Sequence, residues 1–257
     1  MAKFDGKFLK GALGPVVFRV VNGKQIVSSK PHKVKQTAET KKAGSTFGEG
    51  SSLSRQIRAN FAEGILNLHD QNLHDRLLSR LNVIVNQCRD KKTMKYHFNE
   101  NSFNSLINFD FNIHSPLKKQ LPSEPAIVIE NQTLTVAFPK SEHPAKLKFI
   151  KGGYDCELKI LVRFYRLKDG LKTRYNAEQT ILVEKYGNND LSGKEFPFAI
   201  PNGCLCIVSM FLHYSGEFGI INSKQINPGA ICYAGETQGI FEENASFLWS
   251  RMDKSFE

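Results

Sequence analysis

The sequence predicts an α+β protein, with an N-terminal β-hairpin arm and a helical hairpin followed by an antiparallel β-sandwich of the immunoglobulin-like or fibronectin-like kind. Three patterns predict this fold class. An Asn-Gly pair separates two β-branched runs near the N-terminus, apolar residues then recur every four positions, and apolar and polar residues finally alternate between regular turn signals. The predicted segments are a basic extended arm at 1–44, a mainly helical segment at 45–120, a β-sandwich at 121–223 and an acidic C-terminal tail at 224–257.

The arm contains a strong hairpin signal. Asn22-Gly23 joins two runs rich in β-branched residues, and both positions of such a two-residue turn need a positive φ. This turn pairs Val21 with Lys24 and Phe18 with Val27, so that both faces of the hairpin carry apolar side chains. A hairpin of this kind is poorly stable alone and has to be covered by this chain or by another. The predicted interface residues of the arm are Val16, Phe18, Val20, Ile26 and Val27.

Charge is distributed unevenly along the chain, whose 257 residues carry a formal net charge of +10. The first 60 residues contain twelve Lys and Arg and three acids, a net +9, whereas residues 225–257 are net −3. A basic segment favours an anionic partner, either the phosphates of nucleic acid or the acidic end of a second copy. The predicted contacts to an anionic partner are Lys24, Lys30, Lys33, Lys35, Lys41, Lys42, Arg55 and Arg58.

The segment after the arm is predicted to be a helical hairpin. Residues 33–42 form a polar, lysine-rich linker, and Thr46 followed by Glu49 fits a capping box at a helix start. Apolar side chains every fourth residue from Leu53 to Ile65 then share one helix face, and a second helix carries its apolar face from Leu73 to Cys88. Residues 67–70 join the two helices as antiparallel neighbours. Residues 91–120 are rich in Asn and Phe and predict a short helix and a strand.

From about residue 121 the apolar period changes to two, which predicts short strands. Seven or eight strands within about 100 residues are typical of an immunoglobulin-like or fibronectin-like sandwich. The Cys…Trp…Cys core of antibody domains is missing, because the single tryptophan is Trp249 in the tail. Strand alternation places Phe164 in the core and directs Tyr165 outward. The predicted strands are 126–130, 133–138, 146–150, 156–167, 179–186, 196–200, 204–214 and 218–221.

No arrangement of reactive residues predicts an enzyme. The chain lacks a phosphate-binding loop, a GxSxG elbow, an HExxH pair and a CxxC pair. The five cysteines are predicted to be buried free thiols. His69 and His74 stand in two His-Asp dipeptides, but their spacing rotates them about 140° apart around a helix, which suits a metal site poorly. We therefore predict a non-enzymatic protein with no cofactor and no catalytic or metal-binding residues.

The N-terminal sequence shows no secretory signal. The first apolar run, Val16 to Phe18, is flanked by Pro15 and Arg19 and is shorter than the ~7–15 residues of a signal core. No segment approaches the ~20 apolar residues that span a bilayer, so no membrane span is expected. The expected location is the cytoplasm, or outside the cell after release from the cytoplasm without a secretory signal peptide.

Several short motifs in the first 60 residues resemble an uncharacterised family of Bacteroidetes proteins. These motifs are Met1-Ala2-Lys3, the glycines from Gly11 to Gly14, Asn22-Gly23-Lys24, Ser29-Lys30-Pro31 and Thr37 to Thr40. The resemblance implies a strand pair around a Gly-Lys turn, a break at Ser-x-Pro, a helical segment and a C-terminal β-sandwich. The acidic stretch after Ile226 departs from the family. Because that family has no known function, the resemblance implies no site residues.

Two functions of different classes fit these patterns. The leading hypothesis is a structural subunit that self-assembles into a filament, an appendage or a phage-like particle, with copies of itself as the partner. Its arm would pack on a neighbouring copy, and opposite charge at the two ends of the chain suits head-to-tail contacts. The alternative is a protein that binds nucleic acid through the basic arm without reading its sequence. A third hypothesis is a metal-dependent hydrolase built on His69 to Asp75.

Overall fold

A computed structural model of the chain gives the fold. It describes residues 2–21, 23–30, 36–121, 123–141, 146–174, 177–187, 189–242 and 247–256, without the side chains of 38 and 42. The chain divides into two compact units, Met1–Gly44 and Ser45–Glu257. Each unit is described by itself below.

The first unit contains a four-stranded antiparallel sheet in which each strand pairs with the next one along the chain. The register of its last two strands pairs Val21 with Lys24 and Phe18 with Val27, which confirms the predicted hairpin. The two strands that precede this hairpin were not predicted. The bounds are β1 (Lys3–Phe4), β2 (Leu9–Leu13), β3 (Val16–Val21) and β4 (Lys24–Ser29).

The first helix begins earlier than the sequence predicted. Helix α1 spans Ala38–Asn60, and the hydroxyl of Thr37 accepts a hydrogen bond from the backbone N–H of Thr40 at 3.1 Å, as an N-cap residue does. The linker prediction for 33–42 is therefore wrong from residue 38 onward. The capping box at Thr46 and Glu49 is also wrong, because both residues lie inside α1.

The helices nevertheless bury the predicted apolar faces. After α1 come a single turn, α2 (Ala62–Ile65), and a longer helix, α3 (Leu73–Cys88). Arg89 at the end of α3 donates a 2.6 Å hydrogen bond to Thr46 in α1, so these two helices run antiparallel as predicted. The buried residues of the two faces are Leu53, Ile57, Phe61, Ile65, Leu73, Leu77, Leu81, Ile84 and Val85.

The segment after α3 contains the predicted short helix and strand, together with a second helical turn. The two helical turns are 3₁₀ turns at Asn104–Leu106 and Leu117–Lys119. Between them lies β5 (Phe109–Asp110), which pairs with a later strand at Ile231.

The second unit contains two antiparallel sheets. Eight strands form the large sheet, in the order β15-β9-β8-β12-β14-β5, with β10 paired to β8 and β13 paired to β12. Three strands form the small sheet, in the order β11-β7-β6. The remaining bounds are β6 (Ala126–Glu130), β7 (Thr133–Ala137), β8 (Asp155–Arg166), β9 (Leu171–Thr173), β10 (Ala177–Glu184), β11 (Glu195–Ala199), β12 (Leu205–Gly216), β13 (Gly219–Ile220), β14 (Gly229–Glu236) and β15 (Trp249–Arg251).

The large sheet is buried on both faces, because the helices cover one face and the small sheet covers the other. On β8, Leu161 and Tyr165 pack with the helices, whereas Ile160 and Val162 pack with the small sheet. The outward direction predicted for Tyr165 is therefore wrong. This side chain is fully buried, and its hydroxyl accepts a hydrogen bond from the side-chain amide of Asn60 at 3.1 Å. The α+β class and the β-sandwich are confirmed.

A buried arginine joins the helical layer to the large sheet. Arg163 in β8 is fully buried and forms an ion pair with Glu63 in α2. Its Nε also donates a 2.8 Å hydrogen bond to the carbonyl of Asn60, and its guanidinium lies over the ring of Phe61. Burial lowers the pKa of Arg163 to about 10, so the group remains charged at neutral pH beside the carboxylate.

Two further strand predictions need correction. Residues 146–150 do not form a strand, since only Lys146 makes an isolated bridge, to Asp190. The segment 224–257 is not a tail, because β14 pairs along β12 in the middle of the large sheet and β15 lies at its edge. Phe256 near the chain end is also buried, at 3% exposure.

Candidate functional site

Three of the five thiols predicted to be buried are buried, whereas Cys88 and Cys232 are half-buried. All five cysteines are free, and Cys156, Cys204 and Cys206 lie inside the protein. Burial raises the pKa of Cys204 and of Cys232 to about 12. At neutral pH these thiols are protonated, which leaves them weak nucleophiles and weak metal ligands.

A buried histidine, His213, and a buried acid, Asp70, have structural partners. The His213 ring is buried, and its Nε2 lies 2.9 Å from the carbonyl oxygen of Gly64. Burial lowers the pKa of His213, so the ring is neutral near pH 7. Asp70 accepts hydrogen bonds from Arg76 and from the backbone N–H of Asn72, which fixes the turn into α3. Asp70 therefore shapes the start of α3, and the second dipeptide, His74-Asp75, lies in the first turn of that helix.

No group of three or more His, Cys, Asp or Glu side chains in the described ranges is arranged to hold a metal ion. Within those ranges no helix is both long enough and apolar enough to cross a bilayer.

The sheet of the first unit has the predicted apolar face. Val16, Phe18 and Val20 alternate along β3 and so point to one side of the sheet. Their cross-strand partners extend this face, with Leu13 opposite Val16 in β2 and Val27 opposite Phe18 in β4. We call these five residues the apolar face. Leu13 and Val27 are each 55% exposed, and the three β3 residues are half-buried, so the face is open.

The opposite side of the same sheet is mixed in character. Ile26, the fifth predicted interface residue, lies there opposite Arg19, and Lys24 lies opposite Val21. Ile26 and Val21 are 44% and 47% exposed. The structure therefore places four of the five predicted interface residues on one face and Ile26 on the other.

At Leu9, two residues before Gly11, the backbone of β2 hydrogen-bonds to the side chain of Gln25. Gly11 has a φ of +107°, a conformation that side-chain-bearing residues avoid. The carboxamide of Gln25 in β4 accepts a hydrogen bond from the N–H of Leu9 at 2.9 Å and donates one to its carbonyl at 2.8 Å. The Gln25 amide thus supplies the two hydrogen bonds that a residue of a neighbouring strand would supply, and it fixes the position of Leu9 at the start of β2.

The predicted cations divide between the two units. Lys24, Lys30 and Lys41 are exposed. Arg55 instead forms an ion pair with Asp253, and Arg58 is half-buried at a cavity of about 340 Å³ near the same carboxylate. Lys33, Lys35 and the side chain of Lys42 lie outside the described residues.

Two neighbouring cavities lie beside the edge strand β6, and the sequence did not predict them. One is about 870 Å³ and the other about 290 Å³, and Tyr233 of β14 borders both. The edge strand β6 contributes Ile127 to the larger cavity and Ile129 to the smaller one. We call the larger cavity the groove. No local sequence signal marks it, because its walls come from segments that are about 100 residues apart.

Comparison with family models, with curated proteins and with solved structures gives no match to this chain. The resemblance to the Bacteroidetes family therefore stays a prediction, and the function has to be argued from the geometry above.

Proposed function

We propose that this protein is a non-enzymatic structural subunit that self-assembles through its N-terminal sheet. The observation that carries the proposal is the open apolar face, formed by Leu13, Val16, Phe18, Val20 and Val27 on a sheet with exposed apolar residues on its other side as well. Contiguous exposed apolar surface in a soluble protein marks a binding surface.

The size of the apolar face indicates how the copies would have to bind. Full burial of a large apolar side chain contributes about 1.5–3 kcal/mol, so burying the exposed parts of these five residues, about two whole side chains in all, contributes about 3–6 kcal/mol. Association costs about 4–15 kcal/mol in lost freedom of motion. The apolar face alone therefore yields little surplus, and a stable assembly needs further contacts, such as backbone hydrogen bonds at a sheet edge.

The chemistry of the second unit is consistent with a non-enzymatic subunit. The thiols of Cys204 and Cys232 are protonated at neutral pH, and the buried His213 is hydrogen-bonded to a carbonyl. The carboxylate of Asp70 and the guanidinium of Arg163 are engaged in ion pairs that join elements of the fold. These groups stabilise the subunit.

The test is the molar mass of the full-length chain in solution, measured by size exclusion with light scattering. Wild type is expected to form large, protein-only species, and Phe18→Asp/Val27→Asp is expected to be monomeric. The matched control is Phe218→Asp/Leu182→Asp, because these side chains of the second unit are 95% and 57% exposed. The control should assemble like wild type. A wild-type chain that stays monomeric at all concentrations contradicts the proposal.

The alternative function is binding of nucleic acid without sequence readout. It is favoured by the second face of the sheet, where the exposed Arg19 and Lys24 lie on one side. Such binding weakens steeply with salt, because each phosphate contact releases counterions. A purified protein with excess absorbance at 260 nm, and an affinity for duplex DNA that falls with salt and is lost in Arg19→Glu/Lys24→Glu, would favour this alternative.

A further inference from the structure

We propose that the N-terminal sheet docks by strand addition, with β4 of one copy pairing antiparallel to β6 of a second copy. This inference rests on the proposed function and names the surface that receives the apolar face. Each copy carries one β4 and one β6, so the contact is head to tail and builds a ring or a filament.

Both strands are open sheet edges. Among the described residues, β4 pairs only with β3, and β6 pairs only with β7. All six residues of β4 are exposed, and so are four of the five residues of β6. An edge strand presents unpaired backbone N–H and C=O groups, which is the template for adding another strand.

The charges that flank the two strands are complementary and equally spaced. Lys24 and Lys30 stand six residues apart around β4, and Glu124 and Glu130 stand six residues apart around β6. Antiparallel pairing of Lys24 with Glu130 brings Lys30 opposite Glu124 as well. One register therefore aligns both charge pairs, with Glu124 also forming an exposed ion pair with Lys118 of its own chain, and it places Val27 opposite Ile127.

The backbone groups on the two open edges are in phase for this register. The N–H of Lys30 donates to Pro15, so the even-numbered residues of β4 bond to β3 and the odd-numbered ones point outward. The N–H of Phe138 donates to Lys194, so the even-numbered residues of β7 bond to β11 and its odd-numbered residues bond to β6. By the register of β6 with β7, the even-numbered residues of β6 bond to β7 and its odd-numbered residues point outward.

Odd-numbered residues of both strands therefore meet. Val27 and Ile127 can exchange two hydrogen bonds, and Gln25 and Ile129 can exchange two more. Ser29 can donate one to the carbonyl of Pro125, which has no N–H of its own. This pairing satisfies the open backbone groups on both edges.

The same register aligns the faces of the two sheets. Ile127 and Ile129 point to the core side of the small sheet, since they lie opposite the buried Val136 and Leu134. Val27 would join them there, which turns the whole apolar face toward the groove of about 870 Å³ beside β6. Lys24 and Lys30 would lie on the outer side with the two glutamates. A slip by one residue would reverse every side chain and lose both matches.

The experiment traps the contact between two separately purified full-length variants. Ile26→Cys and Val128→Cys lie directly opposite in the proposed register, in a pair without mutual hydrogen bonds, whose Cα atoms are about 4.5 Å apart. This distance permits a disulfide. The matched control replaces Val128→Cys by Ala126→Cys, which lies on the same outer face but two residues further along β6.

Mild oxidation of the mixed Ile26→Cys and Val128→Cys chains should give a covalent dimer. The control mixture and each variant alone should not. Equal dimer yield from the Ala126→Cys mixture overturns the register. No dimer from either mixture, under conditions where wild type assembles by light scattering, overturns the inference and leaves the proposed function standing. A wild-type chain that is always monomeric overturns both.

Charge exchange provides a second test. Lys24→Glu/Lys30→Glu and Glu124→Lys/Glu130→Lys should each raise the concentration at half assembly by about tenfold. Mixing the two variants should restore assembly. The acidic β4 of the first variant then pairs with the basic β6 of the second, and the basic β4 of the second pairs with the acidic β6 of the first. Lys91→Glu/Lys92→Glu makes the same charge change at exposed positions far along the chain and should assemble like wild type. A mixture that assembles no better than its components overturns the charge match.

Discussion

Apolar residues alternate along the strands of both units, but their side chains are buried to very different extents. In the large sheet, β12 has ten consecutive buried residues, from Leu205 to Tyr214. In the N-terminal sheet, the adjacent β3 and β4 have no buried residue between Val16 and Ser29. The large sheet has a layer on each face, whereas the described part of the first unit contains one sheet and the start of α1.

This difference shows that a strand pattern identifies side chains that need cover but does not say what covers them. For β12 the cover is the helices on one side and the small sheet on the other. For β3 and β4 we propose that the cover is a second copy. Substitutions in the large sheet should therefore weaken the fold, whereas substitutions in the N-terminal sheet should weaken only the assembly.

The largest effect should come from the doubly covered sheet. Phe211 is fully buried in β12, and its ring packs against Phe61 and Phe111 of the helical side. Phe211→Ala should lower the free energy of unfolding by about 4 kcal/mol, since it leaves a cavity that rigid neighbours cannot fill. Urea unfolding measures this loss. Phe218→Ala, at a side chain that is 95% exposed, should change stability by less than about 0.5 kcal/mol. Equal effects of the two substitutions would contradict the layer assignment.

The next effect concerns the ion pair between the helical layer and the large sheet. Glu63→Ala leaves the fully buried Arg163 without its carboxylate, and should destabilise the fold by about 2 kcal/mol, less than for a fully buried pair because Glu63 is partly exposed. The matched control is Glu157→Ala, which removes the carboxylate of the more exposed pair with Lys159 and should cost less than about 1 kcal/mol. Thermal unfolding of both variants gives the comparison, and a reversed order would contradict it.

The buried histidine should make stability depend on pH. Because burial lowers the pKa of His213 below its unfolded value of about 6.5, the unfolded chain binds the extra proton first. Stability is therefore lost as the pH falls below about 6.5, by at most about 1.4 kcal/mol for each pH unit. His213→Gln should remove this part of the loss in urea unfolding at pH 7.5 and 5.5, whereas His114→Gln, at an exposed ring, should keep it. An unchanged pH dependence in His213→Gln would contradict the assignment.

The smallest effect on folding should come from the N-terminal sheet. Phe18→Ala should change the unfolding free energy of the second unit by less than about 0.5 kcal/mol, because Phe18 belongs to the other compact unit. The same variant should assemble at a higher concentration than wild type, measured by light scattering. A large loss of stability in the second unit with unchanged assembly would reverse our account of the two sheets.

Local patterns predicted the parts of this fold that depend on neighbours in sequence. The Asn-Gly pair in the sequence predicted the register of β3 and β4, and the fourfold apolar repeat predicted the buried faces of α1 and α3. The start of α1 was placed too late because Thr46 and Glu49 form a capping-box pattern inside the helix, while Thr37 supplies the cap. Their side chains instead bind Arg89 and Tyr96.

Features that depend on a distant layer could not be predicted. Tyr165 follows the alternation of a half-exposed strand, and only the helical layer buries it. Strand β14 was assigned to a tail because residues 225–257 carry a net charge of −3, and charge alone does not reveal its pairing with β12. The matched charges around β4 and β6 are visible in the sequence, but they indicate a contact only once both strands are known to be open edges.

Hydrogen exchange of the backbone amides tests the central claim most directly, when β4 and β12 of the full-length chain are compared at low and high protein concentration. The amides of β12 should exchange slowly at both concentrations, since both neighbouring strands are present in one copy. The outward amides of Gln25, Val27 and Ser29 should exchange fast in the dilute protein and slowly in the assembled one. Fast exchange of these three amides in an assembled sample would contradict the claim that a second copy covers the N-terminal sheet.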